Sequence, residues 1–301
     1  MTDTRAITGN NSQACANCGT ALSGDYCAQC GQSRHEIRRA FLPLVTDALD
    51  GLFQWDGRLL VTIKTLFSQP GKVARSYMDG KRQSFTPPLR LYLIVSLIFF
   101  AMIGLSGVRI VAVNLTADDA GEAGLFITLF QPPREGAPVI LSPEVQQGML
   151  DQAEAQGVSR SFREVAIRAM NEPGAVEEQA ASAASQAMIL MVLVFAVLCG
   201  IFHPRRRIIE HVVHALYFHA VLLIPLALVM ITGILVPLPG WGPLVLAISA
   251  ALALIVAFVL FDRGFYQSSW IGAGLRIIPI VLGYVLGALF VSIGLILWAA
   301  V

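Results

Sequence analysis

Charged side chains are scarce in this sequence, since Asp, Glu, Lys and Arg together make up 14% of its 301 residues. Hydrophobic residues make up 55%, and the mean hydropathy is +0.67. Soluble domains usually carry about 25% charged residues. The scarcity is greatest in residues 212–301, where Asp262, Arg263 and Arg276 are the only charged residues. This excludes an ordinary soluble domain and favours membrane helices over the buried helices of a large soluble protein.

An excess of charge of one sign is also absent, because the formal net charge is +1. Nucleic-acid binding through overall charge is therefore not indicated. The charges are nevertheless unevenly distributed. Residues 1–90 contain eleven Lys and Arg against seven acids, whereas residues 107–184 contain five Arg against eleven acids. We expect these two segments to face different compartments.

No cleavable signal peptide is recognisable, since the first forty residues are polar and lack an apolar run. Five later stretches have the length of about 17 to 25 apolar residues that a helix needs to cross the ~30 Å hydrocarbon core. They comprise residues 91–108, 185–202, 212–236, 243–261 and 277–301. The sequence predicts an all-α multi-pass membrane protein with about five transmembrane helices, the first of which acts as the insertion signal.

The positions of Lys and Arg predict the orientation, because these residues stay preferentially on the cytoplasmic side of a span. They cluster before the first span, at 205–207 between the second and third, and at Arg263 and Arg276 between the fourth and fifth. Arg109 alone opposes this pattern. We predict a cytoplasmic N-terminus, an extracytoplasmic C-terminus and an extracytoplasmic insert over residues 109–184.

Cysteine is rare as well, but four of the five cysteines form the pattern C-x2-C-x8-C-x2-C, with a glycine after each pair. They are Cys15, Cys18, Cys27 and Cys30. Zinc prefers four tetrahedral ligands, and thiolates supply them at about 2.3 Å. The cytoplasm keeps thiols reduced. The spacing therefore predicts one structural Zn²⁺ in a ribbon over residues 1–33, whose folding free energy, of order 10 kcal/mol, would come from the metal.

Other uses of the four cysteines are less favoured. A dithiol redox centre would be expected within a βαβ pattern, which is not seen around them. An iron centre with the same ligands stays open. Four cysteine ligands leave no position for a catalytic water, which favours a closed structural site. Nucleic-acid binding is not expected, because Asp25 is the only charged residue between Asn11 and Ser33.

Residues 34–90 are predicted to be a cytoplasmic amphipathic helical region. Apolar residues recur at three and four positions from Phe41 to Phe53. Pro70 and Gly71 interrupt the next apolar stripe. The helices either lie on the cytoplasmic leaflet or form a packed subdomain without lipid contact, and the sequence favours neither.

Membrane lipids are the expected partners of the basic cluster in front of the first span. Lys81, Arg82 and Arg90 are predicted to lie close to anionic headgroups, at about 1 kcal/mol each. The insert 109–184 is rich in Ala, Gly, Glu and Gln, and its helical composition over 142–170 predicts a small helical insert without a catalytic domain.

Polar residues at the start of the third span form a second candidate site. On a helix, Glu210 and His214 share a face, His211 lies three positions before His214, and His219 lies about two turns deeper than His211. Such groups could form an interfacial metal site or a proton relay. We favour a structural interpretation, in which Glu210 pairs with an arginine of 205–207 and the histidines bond neighbouring helices. His219 is less well explained by it.

Four stretches of the chain resemble a family of bacterial integral membrane proteins of unknown function that pair an N-terminal zinc ribbon with a helical membrane domain. The stretches are YCAQCGQ at 26–32, TIKTLFSQPGKVARSYMDGKR at 62–82, FTPPLRLYLIVSLIFF at 85–100 and IIEHVVHALYFHA at 208–220. The resemblance implies location in the bacterial inner membrane and zinc binding, and no established activity. Glu210 and His211 belong to the shared pattern.

We expect a non-enzymatic membrane protein whose ribbon and amphipathic region dock a cytoplasmic protein or regulate the membrane domain; no catalytic residue is assigned. One alternative is a small transporter or channel with Glu210, His211, His214 and His219 as a polar path, which predicts a cavity lined by these groups. A further alternative, an intramembrane metal-dependent enzyme, requires three convergent ligands, and no HExxH pattern supplies them.

Overall fold

The computed structural model describes residues 14–34, 57–117, 123–132, 141–235 and 240–300. This part of the chain is mostly helical, and five of its helices are long and apolar enough to cross a membrane. The predicted fold class is therefore confirmed. The helical periodicity predicted from Phe41 to Phe53 lies outside the described residues.

Nine helices and two strands make up the described part of the chain. In chain order they are α1 (Arg58–Ser68), α2 (Lys72–Met78), α3 (Pro88–Ser106), β1 (Arg109–Ala117), β2 (Ala123–Gln131), α4 (Pro143–Ala155), α5 (Arg160–Asn171), α6 (Pro173–Phe202), α7 (Ile208–Leu235), α8 (Gly242–Tyr266) and α9 (Trp270–Ala300).

The five candidate spans are α3, α6, α7, α8 and α9. Their ends differ from the predicted ones. The helix of the second span begins at Pro173 rather than at residue 185. Helices α8 and α9 also extend towards each other, so that Asp262, Arg263 and Arg276 lie in helices rather than in a loop. Asp262 can be accommodated in α8 because its Oδ2 lies 3.4 Å from Nη1 of Arg276 on α9.

The insert between α3 and α6 contains a β-hairpin, which differs from the expected purely helical insert. Strands β1 and β2 are antiparallel, with Arg109 opposite Gln131 and Ala117 opposite Ala123. The β-branched and apolar residues of RIVAVNLTA favour a strand over a helix. Glu177 of α6 holds the hairpin, since its carboxylate accepts hydrogen bonds from Arg109 (2.9 Å) and from the backbone N–H of Val113 (2.8 Å). The helical composition of 142–170 corresponds to α4 and α5.

Helix α7 lies at the centre of the bundle and packs against α3, α6 and α8. Helices α8 and α9 are largely exposed, as membrane-facing helices would be. At one end of the bundle, which we call the ribbon side, α6 and α8 end and α3, α7 and α9 begin. The short helices α1 and α2 pack on this side against α7 and α8. All candidate site residues lie on the ribbon side or in the adjoining turns of the spans.

Candidate metal site and buried polar cluster

The four cysteines of the ribbon converge as the spacing predicted. The Sγ atoms of Cys15, Cys18, Cys27 and Cys30 all lie within 4.8 Å of one another. Sγ of Cys15 is 3.6 Å from that of Cys30, and Sγ of Cys18 is 3.5 Å from that of Cys27. A regular tetrahedron with metal–sulfur bonds of about 2.3 Å places its sulfurs about 3.8 Å apart. The arrangement therefore fits a four-cysteine metal site.

Two equivalent backbone turns build the site. The N–H of Gly19 donates to the carbonyl of Cys15 and the N–H of Gly31 to that of Cys27, both at 2.8 Å. Both glycines have a positive φ, 79° and 71°, which residues with a Cβ rarely adopt. This explains why a glycine follows each cysteine pair.

The environments of the thiols differ. The hydroxyl of Thr20, 3.4 Å from Sγ of Cys18, lowers the pKa of that thiol to about 6. Burial raises the pKa of Cys30 to about 11. Metal ligation requires the thiolate form. A metal bound by all four thiolates would therefore have to displace a proton from Cys30 more often than from Cys18.

The ribbon is attached to the membrane domain through the loop 80–84. The side-chain amide of Gln32, which is buried, donates to the carbonyl of Gly80 (2.8 Å) and accepts from the N–H of Arg82 (3.2 Å). Asn17 Oδ1 accepts from the hydroxyl of Ser84 at 2.8 Å. Contact is close, because a Cβ on Gly80 would lie 2.9 Å from the Cβ of Ala16.

Hydrogen bonds continue from this loop into the bundle. The hydroxyl of Thr62 on α1 accepts from the N–H of Thr86 at 2.9 Å. The carbonyl of Thr86 in turn accepts from the hydroxyl of Tyr217 on α7 at 2.7 Å. All three side chains are buried. The loop that leads into α3 is therefore fixed at Thr86 to both α1 and α7.

Lys81, Arg82 and Arg90, which we expected at lipid headgroups, lie in different environments. Lys81 is exposed. The guanidinium of Arg82 lies 5.3 Å from the ring centre of Tyr77, and Arg90 is buried with 4% of its surface exposed. Lys81 is thus the one of the three whose side chain lies open to the surroundings.

Glu210 pairs with the arginine triplet, as the structural interpretation predicted. Its carboxylate accepts from Nη1 of Arg206 at 3.2 Å and from the N–H of Arg207 at 3.3 Å. The pair is half-exposed at the start of α7. Glu210 therefore points towards the loop before α7 and away from the buried histidines.

His211 is buried and bonds a neighbouring helix. Its Nδ1 lies 2.7 Å from the hydroxyl of Tyr266 on α8. His203, in the loop after α6, stacks on the ring of Tyr266 at 3.7 Å, and its Nε2 is 3.6 Å from Oδ1 of Asp262. Burial lowers the pKa of His203, and the nearby carboxylate of Asp262 opposes this shift. With Arg276, these residues form a polar cluster that joins α6, α7, α8 and α9.

The deeper histidines lie among aromatic rings. His219 bonds the carbonyl of Ala215 through Nδ1 (2.8 Å) and the hydroxyl of Tyr284 through Nε2 (3.0 Å). His214 is 1% exposed, and neither of its ring nitrogens has a hydrogen-bond partner among the residues that the structure describes. Phe265 stacks on it at 4.9 Å. The side chain of His219 therefore links α7 to α9 through a hydrogen bond, whereas the buried ring of His214 packs on α8.

The predicted cluster of Glu210, His211, His214 and His219 does not form a common metal site. Within the described ranges, the four cysteines are the group of three or more His, Cys, Asp or Glu side chains that could hold an ion. A groove of about 450 Å³ beside α7 is lined by none of the four residues.

The partners of the histidines, Tyr266 for His211, Tyr284 for His219 and Asp262 for His203, were not among the predicted site residues. A detectable signal was present, because a tyrosine hydroxyl within an apolar helix requires a hydrogen-bond partner.

A comparison with family models matches residues 56–100 to "Protein of unknown function (DUF3667)". The matched segment covers α1, α2, the loop 80–84 and much of α3. No curated protein and no solved structure matches the chain. Five membrane-type helices, a four-cysteine site and this match are together consistent with a membrane-protein family of unknown function.

Proposed function

We propose that this chain is a non-enzymatic bacterial inner-membrane protein whose cytoplasmic zinc ribbon docks a partner protein and thereby regulates the membrane domain. The contact between the ribbon and the loop 80–84 carries this proposal. If the ribbon had only a local structural role, the buried side chain of Gln32 would not need to hydrogen-bond the backbone of the loop that leads into α3.

A continuous series of contacts supports regulation. It runs from Gln32 to the loop, from Thr86 to Tyr217, and so to α7 at the centre of the bundle. Arg82 also lies over Tyr77, whose ring packs edge-on against Tyr217 at 6.2 Å. A partner that holds the ribbon in one position would bias the arrangement of α3 and α7, which is the differential interaction that coupling requires.

Tyr26 is the best candidate for the surface that meets the partner. It is 67% exposed and lies directly before Cys27, in an isolated β-bridge with Ser33. Exposed tyrosines are enriched at the centres of protein interfaces. The ribbon has little charge, which favours a protein partner over a nucleic acid.

Metal content tests the zinc site. One zinc per chain is expected by inductively coupled plasma mass spectrometry for the purified protein and for Cys199→Ser, because Cys199 is buried in α6 away from the ribbon. The double variant Cys15→Ser/Cys18→Ser is expected to contain none. Zinc that stays in the double variant would place the metal elsewhere, and iron in place of zinc would correct its identity.

In-cell crosslinking followed by affinity purification tests docking. A partner is expected that is lost on deletion of residues 1–33 and weakened by Tyr26→Ala, while the control Ala21→Ser retains it. If the deletion changes neither the recovered proteins nor the phenotype, the docking role is wrong.

The cytoplasmic location of the ribbon has its own test. A membrane-impermeant maleimide added to intact cells is expected to label Gln156→Cys, which is exposed on the insert, and to spare Lys81→Cys, which is exposed in the loop beside the ribbon. Labelling of Lys81→Cys from outside would reverse the orientation.

A further inference from the structure

An apolar groove of about 450 Å³ runs between α7 and α8 and reaches α1 on the ribbon side. Its walls include Leu66 and Phe67 of α1, Leu222 and Val229 of α7, and Ala253 and Leu260 of α8. The hydroxyl of Ser249 also lies in the wall, but it already donates to the carbonyl of Val245 at 2.7 Å. The groove therefore presents no free hydroxyl and suits a hydrocarbon occupant.

The depth of the groove in the bilayer also points to a hydrocarbon chain. Apart from the α1 end, its walls are the candidate spans α7 and α8, and it is open on one side. Along α8 it extends from Leu246 to Phe261, about 22 Å at 1.5 Å per residue. One leaflet of the hydrocarbon core is about 15 Å thick. A chain that enters from the ribbon side would lie along the groove through its whole leaflet.

The ribbon-side mouth of the groove lies at an amphipathic helix. Leu60, Val61 and Phe67 of α1 are exposed by 69%, 53% and 47%, although all three are large and apolar. Lys64 is exposed among them. Apolar side chains with interspersed lysines are typical of helices at the boundary between headgroups and acyl chains. Phe67 belongs both to this exposed face and to the groove wall, so the mouth opens at headgroup depth.

Lys72 is placed where a headgroup phosphate would lie. Lys72 comes two positions after Pro70, which lines the groove, and directly after Gly71. It is exposed, and its ammonium group bonds the side-chain oxygen of Gln69 at 2.5 Å. A lysine at this depth is attracted to a lipid phosphate.

We propose that this groove binds one phospholipid from the leaflet that contains α1, with an acyl chain between α7 and α8 and its phosphate at Lys72. The site is distinct from the metal site and from the polar cluster. It would make one lipid part of the packing between α7 and α8.

Native mass spectrometry of the full chain, released in mild detergent from vesicles of phosphatidylethanolamine and phosphatidylglycerol, tests the site. One retained phospholipid per chain is expected. The variant Ala253→Phe fills the groove and is expected to lose it. The control Ala251→Phe carries the same change on the same helix at a position outside the groove, and is expected to keep it. Lys72→Gln is expected to reduce retention about fivefold, the change that corresponds to ~1 kcal/mol.

A phospholipid with a photoreactive acyl chain locates the bound molecule. Crosslinks are expected on residues that line the groove, such as Ala253 and Leu260 of α8 and Leu222 and Val229 of α7. Equal labelling of the Ala251 face would show an unspecific lipid shell and overturn the proposal. A change from dimer to monomer in Ala253→Phe would make the groove a contact between two copies, which also overturns it. If Ala253→Phe does not fold, Val229→Phe fills the groove from the other wall and serves in its place.

Discussion

Replacement of Gly71 by alanine tests the contact that joins the ribbon side to the fourth span. Gly71 has a φ of 79°, and a Cβ there would lie 2.6 Å from both the carbonyl oxygen of Phe261 and the nitrogen of Phe265. Real Cβ atoms do not approach closer than 3.0 Å, so the turn would have to move by at least 0.4 Å away from α8.

Two separate costs determine the expected magnitude. The positive φ costs an alanine about 1 kcal/mol. Overpacking against a backbone that cannot rotate away adds about 1 to 3 kcal/mol. The free energy of unfolding of Gly71→Ala is thus expected to fall by about 2 to 4 kcal/mol, and trypsin is expected to cleave faster after Lys72 and Arg75.

Denaturant titration in detergent micelles, followed by circular dichroism, measures the stability, and two variants separate the causes. Gly157→Ala has the same backbone conformation, φ 76°, but an open surrounding, and should lose about 1 kcal/mol. Asparagine tolerates a positive φ, but its Cβ in Gly71→Asn would still clash with the backbone of α8. If Gly71→Asn is as stable as the original protein, backbone conformation alone requires the glycine and the close approach to α8 is refuted.

Two further contacts between spans lead to predictions. Tyr266→Phe removes the partner of His211 Nδ1 and is expected to lower the unfolding free energy by about 1 to 3 kcal/mol. Tyr92→Phe removes a buried hydroxyl that has no partner among the described residues, and should be neutral; equal losses in the two variants would contradict the bond to His211. Gly283→Leu is expected to separate α9 from α6, because even a Cβ would lie 2.8 Å from Leu198. Crosslinking between cysteines introduced on α6 and α9 should then decrease, whereas Gly294→Leu, in open surroundings, should leave it unchanged; equal crosslinking in both would refute the contact.

The membrane spans and the cysteine site could be predicted because each depends on short-range chemistry. A run of apolar residues is enough to define a span, and ligand spacing is enough to bring Cys15 and Cys18 to one ion. The span ends were less predictable, because the charge of Asp262 suggested a loop. It lies inside α8 because Arg276, fourteen positions later, meets it in space.

The hairpin and the histidine partners depended on information that local patterns carry weakly. The strand residues of β1 were masked by the Ala- and Glu-rich composition of the whole insert, although the run of Val, Ile and Thr was itself a strand signal. His211 and Tyr266 are 55 positions apart, so their bond depends on how α7 and α8 pack. Periodicity could place His211 on a helix but could not identify what it meets.

The way in which Gln32 holds the loop has a consequence for engineering. Its amide contacts the main chain of residues 80 and 82, and these carbonyl and N–H groups are common to all amino acids except proline, which lacks the N–H. Side chains at 81 and 82 can therefore be exchanged without loss of these bonds, provided that Gly80 keeps its space for Ala16. A ribbon from another protein could be grafted onto this membrane domain if it kept the equivalents of Gln32, Asn17 and the small Ala16, which would give a chimera that presents a different recognition module on the same bundle.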